Sequence, residues 1–322
     1  MAAVAAVFAF AVAGCGKSGS SGTAAPPSAA AAGGCAGVAG TSFVVLDDDK
    51  HLQNADNIVA VVNAKAASPA LIAAVDKVAA ALDTSKLIAL NKATDIDRKT
   101  PQVAAQEFAT AAGLTAGLSG GSGKVVIGAA NFSESQTLAE LYKLALNAAG
   151  FTATVQVSGN RELYEGALER GELTVFPEYA ATFTEFLNQK LNGKTAAPKA
   201  SGDVAATVAA LKELGGKVSL TAGTPSAAAD QNAFAVTKEF AAKYGVRTLS
   251  DFAAKCSGKD SVLAGPAECP QRPFCQVGLK NTYGIEFGSF SQTDAGGPQT
   301  KTALTMGKAS LGLVFSSDGG LA

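Results

Sequence analysis

The chain has 322 residues, 48% hydrophobic and only 16% charged, and its 26 basic against 27 acidic side chains leave a net charge of -1. That length allows two lobes and a sizeable core. The charge balance excludes a nucleic-acid partner, because binding a polyphosphate takes a basic surface. A single histidine, His51, and the absence of a G-x-S-x-G elbow argue against a Ser-His-Asp or Cys-His hydrolase. The chain is expected to be neither an enzyme nor the holder of a cofactor.

Residues 2–13 are all apolar and lead into Val12-Ala13-Gly14-Cys15. The run is shorter than the about 20 residues that cross a bilayer as a helix, and it suits the apolar core of a signal peptide. Its end is similar to a bacterial lipobox, although no Lys or Arg precedes Cys15. Residues 1–15 are therefore expected to be a signal peptide, with Cys15 the site of lipidation. Residues 16–40, rich in Gly, Ser, Ala and Pro, are expected to be a flexible tether. Gly16-Lys17-Ser18 is not the end of a phosphate loop, since Ala11 stands where that pattern needs Gly and no strand precedes it. Besides Cys15 there are Cys35, Cys256, Cys269 and Cys275, an even set that suits disulfides in an oxidising compartment. Three pairings are open. Cys269 and Cys275 flank the loop ECPQRPFC, which suits a local bridge and would leave Cys35 to Cys256. No CxxC or His-rich spacing points to a metal.

In chain order, Ser42–Leu46 and Ile58–Val62 read as strands. The acidic turn Asp47-Asp48-Asp49 between them reads as solvated, with His51 a hinge or surface residue. Helical spacing covers 69–82, and further helices are expected at about 84–93 and 101–113, the last opened by Thr100-Pro101. Residues 118–124, with Ser119-Gly120-Gly121-Ser122-Gly123, have the composition of a flexible linker. After it come a strand at 125–128 and a helix opened by a Ser133/Gln136 capping box and closed by Gly150. Strand 152–157, helix 161–169 and strand 173–177 follow, and the alternation resumes at Asn232. Strands alternating with helices predict two α/β lobes with mostly parallel sheets.

Several runs agree in resembling one family. VVIGAANFSES, GNRELYEGAL and GELTVFPEYAAT look like the opening lobe of the glycine betaine, choline and osmoprotectant solute-binding proteins. DQNAFAVT, ECPQRPFCQVGL, DAGGPQTKTAL and LVFSSDG are similar to the second lobe, and FVVLDDDKHLQNADNIVAVVN resembles the segment that returns to the first. The resemblance implies a two-lobed α/β fold of the periplasmic-binding-protein type II kind with a ligand cleft between the lobes. Lobe A is placed at 54–222 and lobe B at 41–53 and 223–322. In the family the FVVLDDDKHL segment follows LVFSSDG. Here it precedes, so the chain is expected to be circularly permuted and joined through SGGSG, with Ser42–Leu46 pairing with residues near 310–316.

The implied function is that of an extracytoplasmic lipoprotein, held to the outer face of the cell membrane. It would capture a zwitterionic or quaternary ammonium osmoprotectant and deliver it to the permease and ATPase of an ABC importer. A different polar solute such as an amino acid, or a sensor role on the same fold, are the alternatives. In the implied site, Asn131, Phe132, Ser135 and Gln136 open a helix whose N–H groups favour a carboxylate. Tyr179 and Thr182 lie in PEY-x-x-T, and Phe234 in NAFAV stands at a cage position. Asn232 and Asp294 come from lobe B. Arg161 in GNRELY either meets an anion or pairs with Glu165. Ala55 and Gln276 stand where family members carry cage tyrosines, so two of the usual four aromatic walls are missing. Closure is expected about 47–56 and 221–230.

Overall fold

The structure, a computed structural model, describes residues 33–54 and 56–321. The expected signal peptide, Cys15, most of the tether and Ala55 lie outside the described residues. Strand β1 (Phe43–Val45) belongs to lobe B. The chain then crosses to lobe A, where β2 (Ile58–Asn63), β3 (Lys124–Ala129), β4 (Thr152–Val157), β5 (Val175–Tyr179) and β6 (Leu220–Ala222) form one sheet in the order β4-β3-β5-β2-β6. It returns to lobe B for β7 (Asn232–Thr237), β8 (Gly258–Gly265), β9 (Phe287–Gln292) and β10 (Leu311–Phe315), in the order β1-β7-β10-β8-β9.

Both sheets are mixed, which corrects the expectation of mostly parallel sheets. β3 runs parallel to β4 and β5, but β2 is antiparallel to β5 and β6. In lobe B, β8 is parallel to β9 and β10, whereas β7 is antiparallel to β1 and β10. The reason is the crossing between lobes. β5 and β10 end at the interlobe cleft, while β2 and β7 start there, so each new strand runs the opposite way. β1 pairs with β7, Phe43 opposite Thr237, and not with β10, which occupies the other edge of β7.

Local chemistry accounts for the helices of lobe A. Ser68, Asp83 and Thr100 accept hydrogen bonds from the N–H groups of Leu71, Lys86 and Val103, which caps α1 (Pro69–Ala81), α2 (Thr84–Asp95) and α3 (Pro101–Ala111). The expected capping box at Ser133 does not form. Phe132 is the cap residue of α4 (Ser133–Ala149), and Ser135 Oγ instead accepts from Ala130 N at 2.9 Å. Gly150, at φ 109°, closes the helix as expected. Helices α5 (Arg161–Arg170), α6 (Ala180–Asn192) and α7 (Val204–Gly216) complete lobe A, and α8 (Lys238–Tyr244), α9 (Leu249–Cys256) and α10 (Pro298–Thr305) belong to lobe B.

β2 shows how the core is built. Its side chains alternate: Ile58, Ala60 and Val62 join the layer of Leu71, Val75 and Leu141, while Val59 and Val61 join that of Phe176, Phe183 and Leu211. Two segments expected to be free are seated. Gly121 donates to Ala149 O at 2.8 Å, and a Cβ on it would lie 2.4 Å from the Phe151 ring, so the 118–124 loop is packed. Within the expected tether, Cys35 is bonded to Cys256, and Gly40 N donates to Thr305 O at 3.1 Å. A second disulfide joins Cys269 and Cys275. The turn at 47–49 is not simply solvated, because the Asp48 carboxylate accepts from Leu52 N, Gln53 N and the Tyr283 hydroxyl. His51 is exposed with φ 54°.

Candidate functional site

Two segments cross between the lobes, and they are tied together. Asn57 and Ala229 form an antiparallel bridge, and Asp230 N donates to Asp56 O at 3.0 Å. Above them, at the carboxyl ends of β3, β5 and β10, lies a cavity of about 320 Å³, where ligands bind in open α/β sheets. Each hinge aspartate is fastened to one lobe. Asp56 accepts from Ala181 N and Thr182 N at the start of α6, and Asp230 accepts from Ser317 N beyond β10.

The aromatic lining comes from both lobes. Phe132 stands 6.4 Å from Tyr179 and 5.8 Å from Phe315, centroid to centroid, distances at which rings interact favourably. Phe186 and Phe274 add further faces to the lining. Phe315 and Phe132 also border a second, outer cavity of about 720 Å³, so they stand between the two spaces.

The buried cation of the site is Arg161. Its Nε and Nη2 donate to Glu178 at 2.9 and 2.6 Å, and Nη2 also donates to Thr182 Oγ1 at 3.1 Å. Burial alone would lower the guanidinium pKa, but the Glu178 carboxylate more than offsets it and holds Arg161 above its usual value. Arg161 therefore neither stands free for an anion nor pairs with Glu165, as expected from sequence. Glu165 is taken by Lys190 at 2.7 Å. Burial, reinforced by Glu134, raises the Tyr179 phenol well above its ordinary range, and its hydroxyl donates to Glu134 Oε1 at 2.5 Å.

The structure brings Asn131, Phe132, Ser135, Arg161, Tyr179, Thr182 and Asn232 together around the cavity. Three expected residues are elsewhere. Phe234 is a core residue of lobe B at 1% exposure, because strand alternation turns it inward with Val236. The Asp294 carboxylate is committed to Gln299 N and Thr300 N at the start of α10 and borders only the outer cavity. Gln136 follows Ser135 by one helical step and leaves the lining. Gln276, which replaces a cage tyrosine, also lies off the cavity. Sequence reasoning missed Phe315, Asp56, Asp230, Glu134 and Glu178. Phe315 stands opposite Asn232 across the β7–β10 ladder, a neighbour that only the fold reveals. Nothing local marked the buried acids.

Residues 37–111 and 123–322 match the family model for the substrate binding domain of ABC-type glycine betaine transport systems. A solved structure of a glycine betaine/carnitine/choline ABC transporter is similar over 60% of this chain and 68% of its own, at 23% identity and a TM-score of 0.36. No curated protein matches the chain. Since the family model spans well over half of its length, the chain belongs to the family of substrate-binding domains of ABC-type glycine betaine transport systems.

Proposed function

We propose that this protein captures a quaternary ammonium osmoprotectant of the glycine betaine or choline type in the interlobe cleft and delivers it to an ABC permease. The observation that carries this reading is the cluster of Phe132, Tyr179 and Phe315 facing a cavity whose floor holds buried carboxyls. A trimethylammonium group donates no hydrogen bond, so aromatic faces and carboxylates are its natural partners. The start of α4 has no side-chain cap, and its N–H groups suit the ligand's anionic end. A thermal-shift screen of betaines, choline, carnitine, ergothioneine, proline and amino acids tests it, since a tight ligand stabilises the native state by mass action. Quaternary ammonium compounds are expected to raise the melting temperature. A shift with an amino acid alone would replace the reading by that of another polar solute. Tyr179→Ala is expected to weaken quaternary ammonium binding by about 0.5–2 kcal/mol, roughly 2- to 30-fold.

Two further features belong to the proposal. The protein works outside the cytoplasm, anchored by lipid on Cys15. The lipobox-like sequence supports this, as do two disulfides of the kind that persist in oxidising compartments. Cys15→Ala should leave the protein unprocessed or released, and unchanged membrane fractionation of that variant would refute the anchor. The chain is also circularly permuted. The two-block family match, 37–111 and 123–322, and the placement of β2 between β5 and β6 support it. Moving residues 41–118 behind Ala322 should keep ligand affinity within about tenfold, and failure of that chain to fold would count against it.

A further inference from the structure

Four buried carboxyls gather around Tyr179, and only one of them has a cationic partner. Glu178 holds Arg161. The other three accept only from neutral donors. Asp56 has Ala181 N at 2.7 Å and Thr182 N at 3.0 Å, and Asp230 has Ser317 N at 3.0 Å. Glu134 has Asn91 Nδ2 at 2.5 Å, Ser317 Oγ at 2.7 Å and Tyr179 Oη at 2.5 Å. Their exposures are 4%, 3% and 4% in that order. The charged groups facing them from the packed elements are few. Arg161 and Glu178 face Asp56, Glu134 and Asp56 face Asp230, and Asp95 faces Glu134. Besides Arg161, three cations line the cavity: Lys190 is paired with Glu165 and Glu169, Arg272 is paired with Glu162, and Lys194 is exposed to solvent with no ion pair among the described residues. Three buried negative charges without a counter-ion are far more costly than the same groups protonated.

We infer that the cleft loads its cation in exchange for a proton released by the carboxyl cluster of Asp56, Asp230 and Glu134. The inference rests on the cleft being the cation site. Asp56 and Asp230 line the cavity, and Glu134 lies behind Tyr179 in hydrogen-bond contact with it. An ammonium head placed against Tyr179 supplies the missing positive charge. A carboxyl then ionises and its proton leaves to solvent or buffer, so one positive charge replaces another. Burial raises all three groups, Asp56 to about 7, which places the empty cluster partly protonated at neutral pH. Because the three groups are neighbours, the exchange belongs to the cluster and not to one residue. By linkage, affinity falls as pH falls, by up to about tenfold per pH unit for one proton released.

The test is calorimetric titration of the full-length protein with choline chloride and with glycine betaine, in phosphate and in Tris at pH 7, with affinities measured from pH 5.5 to 8.5. The expected result is a binding enthalpy that differs between the buffers by the heat of ionising up to one proton, with affinity rising with pH. Asp56→Asn or the isosteric Glu134→Gln should reduce both effects. Binding that is the same in both buffers and flat with pH overturns the exchange and leaves the cleft reading intact. No binding of either probe at any pH overturns both, since no cation is then exchanged. The wild-type buffer comparison decides the matter even if a variant fails to fold.

Discussion

Replacing Arg161 by alanine is expected to cost about 3–5 kcal/mol of folding stability. Arg161 and Glu178 are 7% and 0% exposed and meet through two hydrogen bonds, so the variant strands a buried carboxylate. The Tyr164 hydroxyl and Tyr179 N also donate to Glu178, but neutral donors do not replace the guanidinium. The loss is a large part of the about 5–15 kcal/mol that stabilises a typical domain. Urea denaturation of the ligand-free protein measures it. The double variant Arg161→Met with Glu178→Leu should lose much less, because it removes both charges and leaves apolar volume. A loss below about 1 kcal/mol for Arg161→Ala, the range of exposed pairs, would mean the pair is hydrated.

Without ligand, stability is expected to fall as pH rises from 5 to 8, because burial raises Asp56, Asp230, Glu134 and Glu165 above the ordinary carboxyl range; Asp56 shows the sign. Burial pushes its carboxyl up to about 7 from an ordinary 3.8, against the opposing pull of Thr182 N, Arg161 and Ala181 N. The folded state therefore binds this proton more tightly than the unfolded chain. Its stabilisation is fully present below about pH 4 and is lost as pH rises through about 7. A shift of about 3 units corresponds to up to about 4 kcal/mol. Carboxylates held below their usual range, such as Glu162 beside Arg272 and Asp251 at the start of α9, act in the opposite sense. Their window lies below about pH 4.5, outside this interval. Asp56→Asn should flatten the fall. Stability that rises between pH 5 and 8, or an unchanged slope in Asp56→Asn, would contradict this account of the hinge.

Features set by neighbours in sequence were legible before the structure. Pro69 and Thr100-Pro101 start helices, Gly150 ends one, and the unbroken apolar run at 58–62 is a strand buried on both faces. Tyr179 and Phe132 were legible through the resemblance, and they face the cleft. What failed depends on direction and distance. Phe234 and Phe315 both lie in short apolar stretches, but strand phase turns the first into the core and carries the second to the cavity. The mixed sheets follow from where the chain crosses between lobes, which no local period records. Arg161 has an acid one turn on at Glu165, yet it takes Glu178 from β5, which only the fold brings near. The acids at 56, 134 and 230 became a cluster for the same reason.

The central claim, that an ammonium head sits among Phe132, Tyr179 and Phe315, is tested most directly by intermolecular NOE measurement. The protein would carry labelled Phe and Tyr rings, with glycine betaine and choline as ligands. The account predicts cross-peaks from the N-methyl protons to the rings of those three residues. A bound ligand whose N-methyl protons show no cross-peak to any of the three rings would contradict it.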